Sequence, residues 1–558
     1  MTTIAAPSIH WVVALPAFLL AGAALALLIA TSLVRGRLRR AVGTAVVVAA
    51  SLGVLADCVV QWIDVSRHGA STTLAHALTE DGFAIVATGV IAVSLGLSIL
   101  VCDGWLARER VGGVELHILA LSSATGAVLM AQANDLVVIF LGLEILSIGL
   151  YVLAAFDRRS RRSGEAGLKY FLLGGFSSAI FVYGIALIYG ATGTTQLGQL
   201  ASFLSLNVLK SDGLLLAGTA LVLVGFAFKV AAVPFHVWSP DVYEGSPTPI
   251  AGYMAAVVKV GAFAAVLRVL ASALVTQQAG WRPMVWALAA LSMLVGAALA
   301  VVQRNVKRLL AYSSISHAGF VLMALWAATA QGIAAALYYL SVYALLVIGS
   351  FAVVTVVSAD GREDLDDYRG LGQRHPWLAA AFTVLLLAQA GVPFTTGFLA
   401  KLAVLEAAIG QLGAAGVTLG VLAMLATAIG GYFYLRVVVL TYAAPHAPAA
   451  PATTASPAAP ASSDARAVAR LAAVGAGILV EDDRDGPEEE HGAAAALTAA
   501  TATATGAAIP DGDGADRIAV PAATTAVLVM CVVPTVVLGI WAGPLAALAS
   551  HATMLVTP

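Results

Sequence analysis

The chain has 558 residues, 60% of them hydrophobic and only 11% charged, with a formal net charge of −2 and a mean hydropathy of +0.93. Soluble domains carry about 25% charged residues, so this composition excludes a soluble assembly and points to a polytopic membrane protein. The near-neutral balance gives no electrostatic case for nucleic acid as a partner, and Cys58, Cys102 and Cys531 lie too far apart for a disulfide framework or a metal or iron–sulfur spacing.

A spanning helix needs about 20 apolar residues. In chain order the apolar runs predict fourteen spans, at 11–33, 41–63, 83–105, 114–131, 134–155, 168–190, 213–234, 248–272, 283–302, 309–327, 332–357, 375–408, 415–440 and 519–545. The first run has its positive charges (Arg35, Arg37, Arg39, Arg40) after it, as expected of a retained first span with a translocated N-terminus rather than a cleaved signal peptide. Loops after odd-numbered spans hold twenty of the 29 Lys and Arg, the opposite loops hold Arg67, Lys210 and Arg282, and six lie within spans. This positive-inside bias places both termini on the outer face. Residues 441–518 are Ala/Pro/Thr-rich with an acidic knot from Glu481 to Glu490, and read as a disordered cytoplasmic linker.

Two segments echo each other. Phe228–Trp238 and Leu387–Leu402 both carry Val-Pro-Phe inside an apolar run, at Pro234 and Pro393. Proline removes a backbone donor and kinks a helix. The run 375–408 is also too long for one straight span across a core about 30 Å thick. The two breaks fall in spans seven and twelve, and repeats of five spans must be inverted in the membrane because five is odd. Paired broken helices in inverted repeats mark a transport site at the midplane. The expected fold is therefore an all-α polytopic membrane protein of about fourteen transmembrane helices with two inverted five-helix repeats, each with a broken helix. Its expected parts are 1–110 (three N-terminal helices), 111–275 and 276–440 (the repeats), 441–518 (linker) and 519–558 (a C-terminal helix).

Six ionisable residues fall within these runs: Glu144, Lys169, Lys229, Lys259, His317 and Lys401. A charge at a bilayer centre costs about 2.5–3.5 kcal/mol on insertion scales, so such residues are read as functional. A row of them on different helices suggests a route for protons or ions. Burial lowers a lysine pKa and raises a glutamate pKa, whereas pairing does the reverse, so moving one partner of an ion pair toggles the other. Separating a pair at 4 Å changes the energy by about 4 kcal/mol at an effective dielectric of 20. That matches the ~3.5 kcal/mol needed to move one proton against about 150 mV. Lys259 is mid-span, too deep to snorkel. His317 has serines 313, 314 and 316 beside it, and serves either as a relay or as a satisfied core histidine. Glu165 and Lys169 share a helix face, as a surface pair or a modulatory one. His236 follows the first break and could serve proton uptake. Arg268 and Arg436, near span ends, read as anchors, and Glu115 stays undecided.

Four motifs then resemble the antiporter-like membrane subunits of respiratory complex I, the NADH–quinone oxidoreductase: Leu141–Phe156, Phe228–Pro249, Asn305–Phe320 and Gly391–Leu402, in that order. The resemblance covers roughly residues 80–440 plus the last span. Within the family, the resemblance implies that the loop Pro240–Pro247 differs from that of the larger sister subunits and of Mrp-type sodium/proton antiporters, and that Lys401 stands where one sister subunit carries a glutamate. The long linker departs from the family pattern. The resemblance implies that Glu144 lies close to Lys229, that Lys259 is the central relay and that Lys401 is the far exit. It implies proton pumping in a bacterial inner membrane, beside other membrane subunits and in contact with lipid, protons and water. No nucleotide, flavin, metal or haem signature is present, so NADH, FMN, Fe–S clusters and quinone are expected to be used by the parent complex and none to be bound by this chain. The rivals are a free cation/proton antiporter and a non-pumping membrane scaffold.

Overall fold

The computed structural model describes residues 10–552 except 32, 34–36, 112, 208–211, 359–360, 412, 445–518 and 542, and leaves out the side chains of 37–39. The expected linker lies outside the described residues from 445 onward. The remainder forms one compact helical unit.

The N-terminal helices are α1 (Trp11–Ala30), α2 (Arg37–His68) and α3 (Gly82–Glu109), with a small antiparallel hairpin, β1 (Ser71–Thr73) and β2 (Leu78–Glu80), before α3. The first repeat holds α4 (Val114–Gln132), α5 (Leu136–Ala154), α6 (Arg161–Thr192), the short α7 (Leu197–Leu206), and a discontinuous crossing made of α8 (Gly213–Lys229) and α9 (Trp238–Gly245). It closes with the rod Thr248–Ala273, in which α10 (Thr248–Tyr253) and α11 (Lys259–Arg268) alternate with π-helical turns at Met254–Val258 and Val269–Ala273. The second repeat holds α12 (Gln278–Val301), α13 (Val306–Trp326), α14 (Ala330–Val357), the short α15 (Leu371–Arg374), a second discontinuous crossing of α16 (Pro376–Ala390) and α17 (Thr396–Ile409), and α18 (Ala414–Tyr442). The helices α19 (Ala522–Ile540) and α20 (Gly543–His551) follow. Twelve of the described helices are long and apolar enough to cross a membrane, and the two discontinuous crossings complete the expected fourteen. The structure adds α7 and the hairpin, which are too short to show as apolar periodicity. It also starts α6 seven residues early, which places Lys169 well inside the helix.

The repeat is visible in local structure. Asp135 precedes α5, caps it by accepting from Val137 N, and bridges to Gln196 after α6. Asn305 precedes α13, caps it by accepting from Arg308 N, and bridges to Asp364 after α14. The helix pairs α4/α5 and α12/α13 each close on glycines. A Cβ at Gly126 would meet the backbone of Gly142 and Leu146, and one at Gly296 would meet the backbone of Ser316. Removing the side chain is what lets these backbones touch.

Burial separates centre from rim. The rod, α13 and α14 are each 94% buried, whereas α6, α18 and α19 are 33% buried and present apolar side chains outward. Such an outward face suits lipid or a neighbouring subunit, because in hydrocarbon only the backbone and the polar groups need internal partners.

One central tie is ionic. Arg268 and Asp81 form a fully buried bidentate pair, at 2.7 and 3.0 Å, and Arg268 also donates to Ala131 O at 3.2 Å. Asp81 caps α3 as well, accepting from Ala84 N at 2.7 Å. Arg268 thus anchors into protein, clamping the end of the rod to the start of α3. Breaking such a pair from one side leaves a buried charge uncompensated, at about 3–5 kcal/mol. Arg268→Met should therefore lower the thermal unfolding midpoint of the solubilised complex markedly. An unchanged midpoint would show that the tie adds nothing to stability.

Candidate functional site

The first break begins at Lys229, the last residue of α8. The peptide groups it frees are taken up by protein: Val233 N donates to Ser292 Oγ (2.9 Å) and Trp238 Nε1 donates to Phe228 O (3.0 Å). The ammonium of Lys229 is buried, donates to Ser147 Oγ (2.7 Å) and Tyr170 Oη (3.2 Å), and lies over the Tyr170 ring at 5.2 Å from its centroid. Tyr170 is held in place by Trp238, stacked at 4.4 Å. A small cavity edged by Ser147, Ser177 and Ser178 adjoins Lys229 and has room for about one water.

Glu144 stands one turn along α5 from Ser147, about 4.5 Å by helix rise. Its Oε1 is enclosed and has no hydrogen-bond partner. Lys229 and Glu144 do not form an ion pair within 4.0 Å. The geometry is thus of an ammonium resting on a hydroxyl, with an unsatisfied carboxylate on the same face of the same helix.

Glu165 and Lys169 do pair, at 2.7 Å, and they belong to a larger network. Lys169 reaches Asp241 (3.1 Å), Asp241 reaches Arg308 (2.7 Å), and Arg308 reaches Glu244 (2.9 Å). The segment Pro240–Pro247, expected as a loop, lies mostly in α9, and its two acids fasten it to both repeats. His236 lies half-buried inside the break. Glu115 is exposed in the first turn of α4.

Lys259 is buried directly after the first π turn of the rod and donates to the backbone carbonyl of Ser314 on α13. Single π turns inside α-helices recur at functional sites. Lys259 also faces the Tyr343 ring at 5.7 Å, and Tyr343 donates to Ser314 Oγ at 2.7 Å. His317, one turn further along α13, contacts tyrosine hydroxyls through both ring nitrogens: Tyr339 at 2.6 Å and Tyr434 at 3.0 Å. Tyr434 is a junction. Its hydroxyl also meets Ser313 and donates to Gln389 Oε1 at 3.4 Å, and Gln389 donates to Ser350 Oγ at 2.7 Å.

Lys401 sits on α17 but folds back across the second break, donating to Ala390 O (2.9 Å), the last carbonyl of α16. It lies over Phe320 at 5.2 Å. Both breaks thus hold an ammonium at the C-terminal end of their first half-helix, where the helix dipole favours a cation.

The structure brings Lys259 and His317 together with tyrosines that the sequence reading did not single out. A signal was present: Tyr339 and Tyr343 are four apart, so they share one helix face. Tyr434 and Gln389 had no such pattern. Lys307, counted as a loop residue, is buried and paired to Glu363 at 2.6 Å, on the wall of a polar cavity of about 480 Å³ that also includes Ser246 and Asp157. Arg436 donates to Val301 O at 2.9 Å. Among the described residues no three His, Cys, Asp or Glu side chains converge as a metal site.

Residues 133–440 match the family described as NADH:quinone oxidoreductase/Mrp antiporter, transmembrane. NADH-quinone oxidoreductase subunit N of Trichlorobacter lovleyi is 44% identical over 376 residues, covering 67% of this chain and 77% of that protein. Subunit N of Mycobacterium tuberculosis is 47% identical over 340 residues, 59% of this chain and 63% of that protein. Among solved structures, a chain of respiratory complex I from Thermus thermophilus is 29% identical with a TM-score of 0.71, covering 96% of this chain and 99% of its own. A chain of the Mrp complex from Dietzia sp. shares the fold alone, at 22% identity and a TM-score of 0.75 over 97% of each chain. The chain belongs to the antiporter-like transmembrane family of NADH:quinone oxidoreductase and Mrp antiporters, and within it to the subunit N group of the bacterial respiratory enzyme.

Proposed function

We propose that this chain is a proton-translocating subunit of the membrane part of NADH–quinone oxidoreductase, and that protons step through Glu144, Lys229, Lys259, His317 and Lys401. The single observation that carries the reading is the placement of enclosed ammonium groups at both helix breaks and in the rod between them, each on a hydroxyl or a backbone carbonyl, with one imidazole set between two tyrosine hydroxyls. The enzyme is an oxidoreductase complex in the bacterial inner membrane, and this chain acts in it as a translocase without a redox centre of its own. NADH, FMN, Fe–S clusters and quinone are used by other subunits. Both termini lie on the outer face, following the loop charges.

Lys229 has two stations on α5. On Ser147 its proton is held by a neutral hydroxyl; one turn away, Glu144 offers a charge. A shift of the ammonium between them changes the proton affinity of both groups, by an amount comparable with the work of moving one proton across the membrane. Glu165, Lys169 and His236 border the uptake side, where the Asp241–Arg308 pair holds the segment in place. From Lys259 onward the tyrosines carry the route. His317 accepts a proton through one nitrogen and releases one through the other, with Tyr339 and Tyr434 as its two neighbours.

A free Mrp-type antiporter is the second reading. The Mrp likeness is one of fold, whereas the relatives at 43–47% identity are subunit N proteins, which favours the first reading.

Two substitutions test the route in the assembled complex. Lys229→Ala should leave electron transfer to an artificial acceptor largely intact while proton uptake by inverted vesicles falls at least about a hundredfold, the lower end for losing a proton-transfer group. Full pumping in that variant would refute the role of Lys229. Tyr434→Phe keeps the ring contact with Phe433 and removes only the hydroxyl. It should leave assembly unchanged and reduce pumping by roughly a hundredfold; normal pumping would remove Tyr434 from the path.

A further inference from the structure

A cavity of about 760 Å³ opens beside the C-terminal end of α18, lined by Arg304, Arg369, Arg436, Asp364 and Asp366. Its two acids are already engaged. Asp366 pairs with Arg369 at 2.9 Å, and Asp364 forms a capping box with Asp367 at the turn Leu365–Tyr368. The arginines keep free donors. Arg436 spends one N–H on Val301 O. The exposed side chain of Arg304 has no partner among the described residues, although its carbonyl is fixed by Leu365 N at 2.8 Å. Guanidinium forks match phosphate oxygens in geometry and charge.

The wall below these arginines is apolar and outward-facing. Tyr432, Leu435 and Val439 are 60%, 49% and 66% exposed, and their spacing of three and four puts them on one face of α18. Val417, Val421 and Leu425 continue that exposed surface along the helix. An occupant must therefore place an anion at the arginines and hydrocarbon along the helix below.

We propose that this cavity binds the phosphate headgroup of an anionic phospholipid, with its acyl chains lying along α18. A free inorganic anion would satisfy Arg304 and Arg436 but leave the apolar face uncovered. A neighbouring protein would need an acidic group placed above an apolar face, whereas a phospholipid has that arrangement in itself and surrounds the chain. Basic pockets between spans are recurrent headgroup sites.

The test is native mass spectrometry of the delipidated, assembled complex, titrated with phosphatidylglycerol, phosphatidylcholine or inorganic phosphate. Wild type should retain phosphatidylglycerol in preference to phosphatidylcholine. Arg304→Gln, which breaks no contact in the structure, should weaken that binding about fivefold, the effect of one basic residue near a lipid headgroup. Adding Arg436→Gln should weaken it further, and Arg67→Gln at the far end of α2 should leave it unchanged. Equal retention of the two lipids, or unchanged phosphatidylglycerol binding in the double variant, would overturn the proposal. So would displacement of the lipid by millimolar inorganic phosphate, which would mark a simple anion site. A photo-crosslink from position 432 to a neighbouring subunit instead of lipid would assign the face to a protein.

Discussion

An ammonium group inside hydrocarbon has to find oxygen. The architecture around the two helix breaks answers that demand, because a break frees backbone groups that a continuous α-helix commits to its own hydrogen bonds. Breaking the helix frees carbonyls and donors at bilayer depth. Ser292 and Trp238 take up part of the first break, and Lys401 takes up a carbonyl of the second. At the second break, break and charge stabilise each other: the helix end supplies the carbonyl of Ala390, and Lys401 satisfies it.

The two breaks solve this from opposite sides. Lys229 ends its own half-helix, while Lys401 lies on the second half and reaches back to the first. The result is the same pairing of a positive side chain with the negative end of a helix. Between them Lys259 uses a third device, a π turn in the rod that precedes it and a carbonyl of α13 as its acceptor. All three lysines sit against aromatic faces, which shield them from water while still attracting the charge. Such weak, exchangeable partners suit the proton-transfer role proposed for these groups more than a tight carboxylate pair would. The Arg268–Asp81 pair, tight and capped, shows what a purely structural buried charge looks like in the same molecule.

Much of the fold was legible in the chain. Span number came from apolar length, and the second break came from a run too long for one crossing. The inverted relation came from an odd number of spans per repeat, and the repeat itself reappears in the Asp135/Gln196 and Asn305/Asp364 bridges. The charged row was legible because charge is conspicuous among Ala, Leu and Val. Tyrosine and glutamine are not, so Tyr339, Tyr434 and Gln389 passed as ordinary helix residues. Lys307 was assigned to a loop since it lies at a span edge, yet it is buried because Glu363, far along the chain, folds over it.

The sequence by itself determined which residues lie inside the membrane and that some of them carry charge, since composition and run length alone decide what a bilayer accepts. Only the tertiary structure decided their partners: that Lys229 rests on Ser147 rather than on Glu144, that Arg268 belongs to Asp81, and that His317 stands between two tyrosines. A hydrogen bond depends on distances of a few tenths of an ångström between helices distant in the chain. No periodicity along one helix encodes which face of another will meet it.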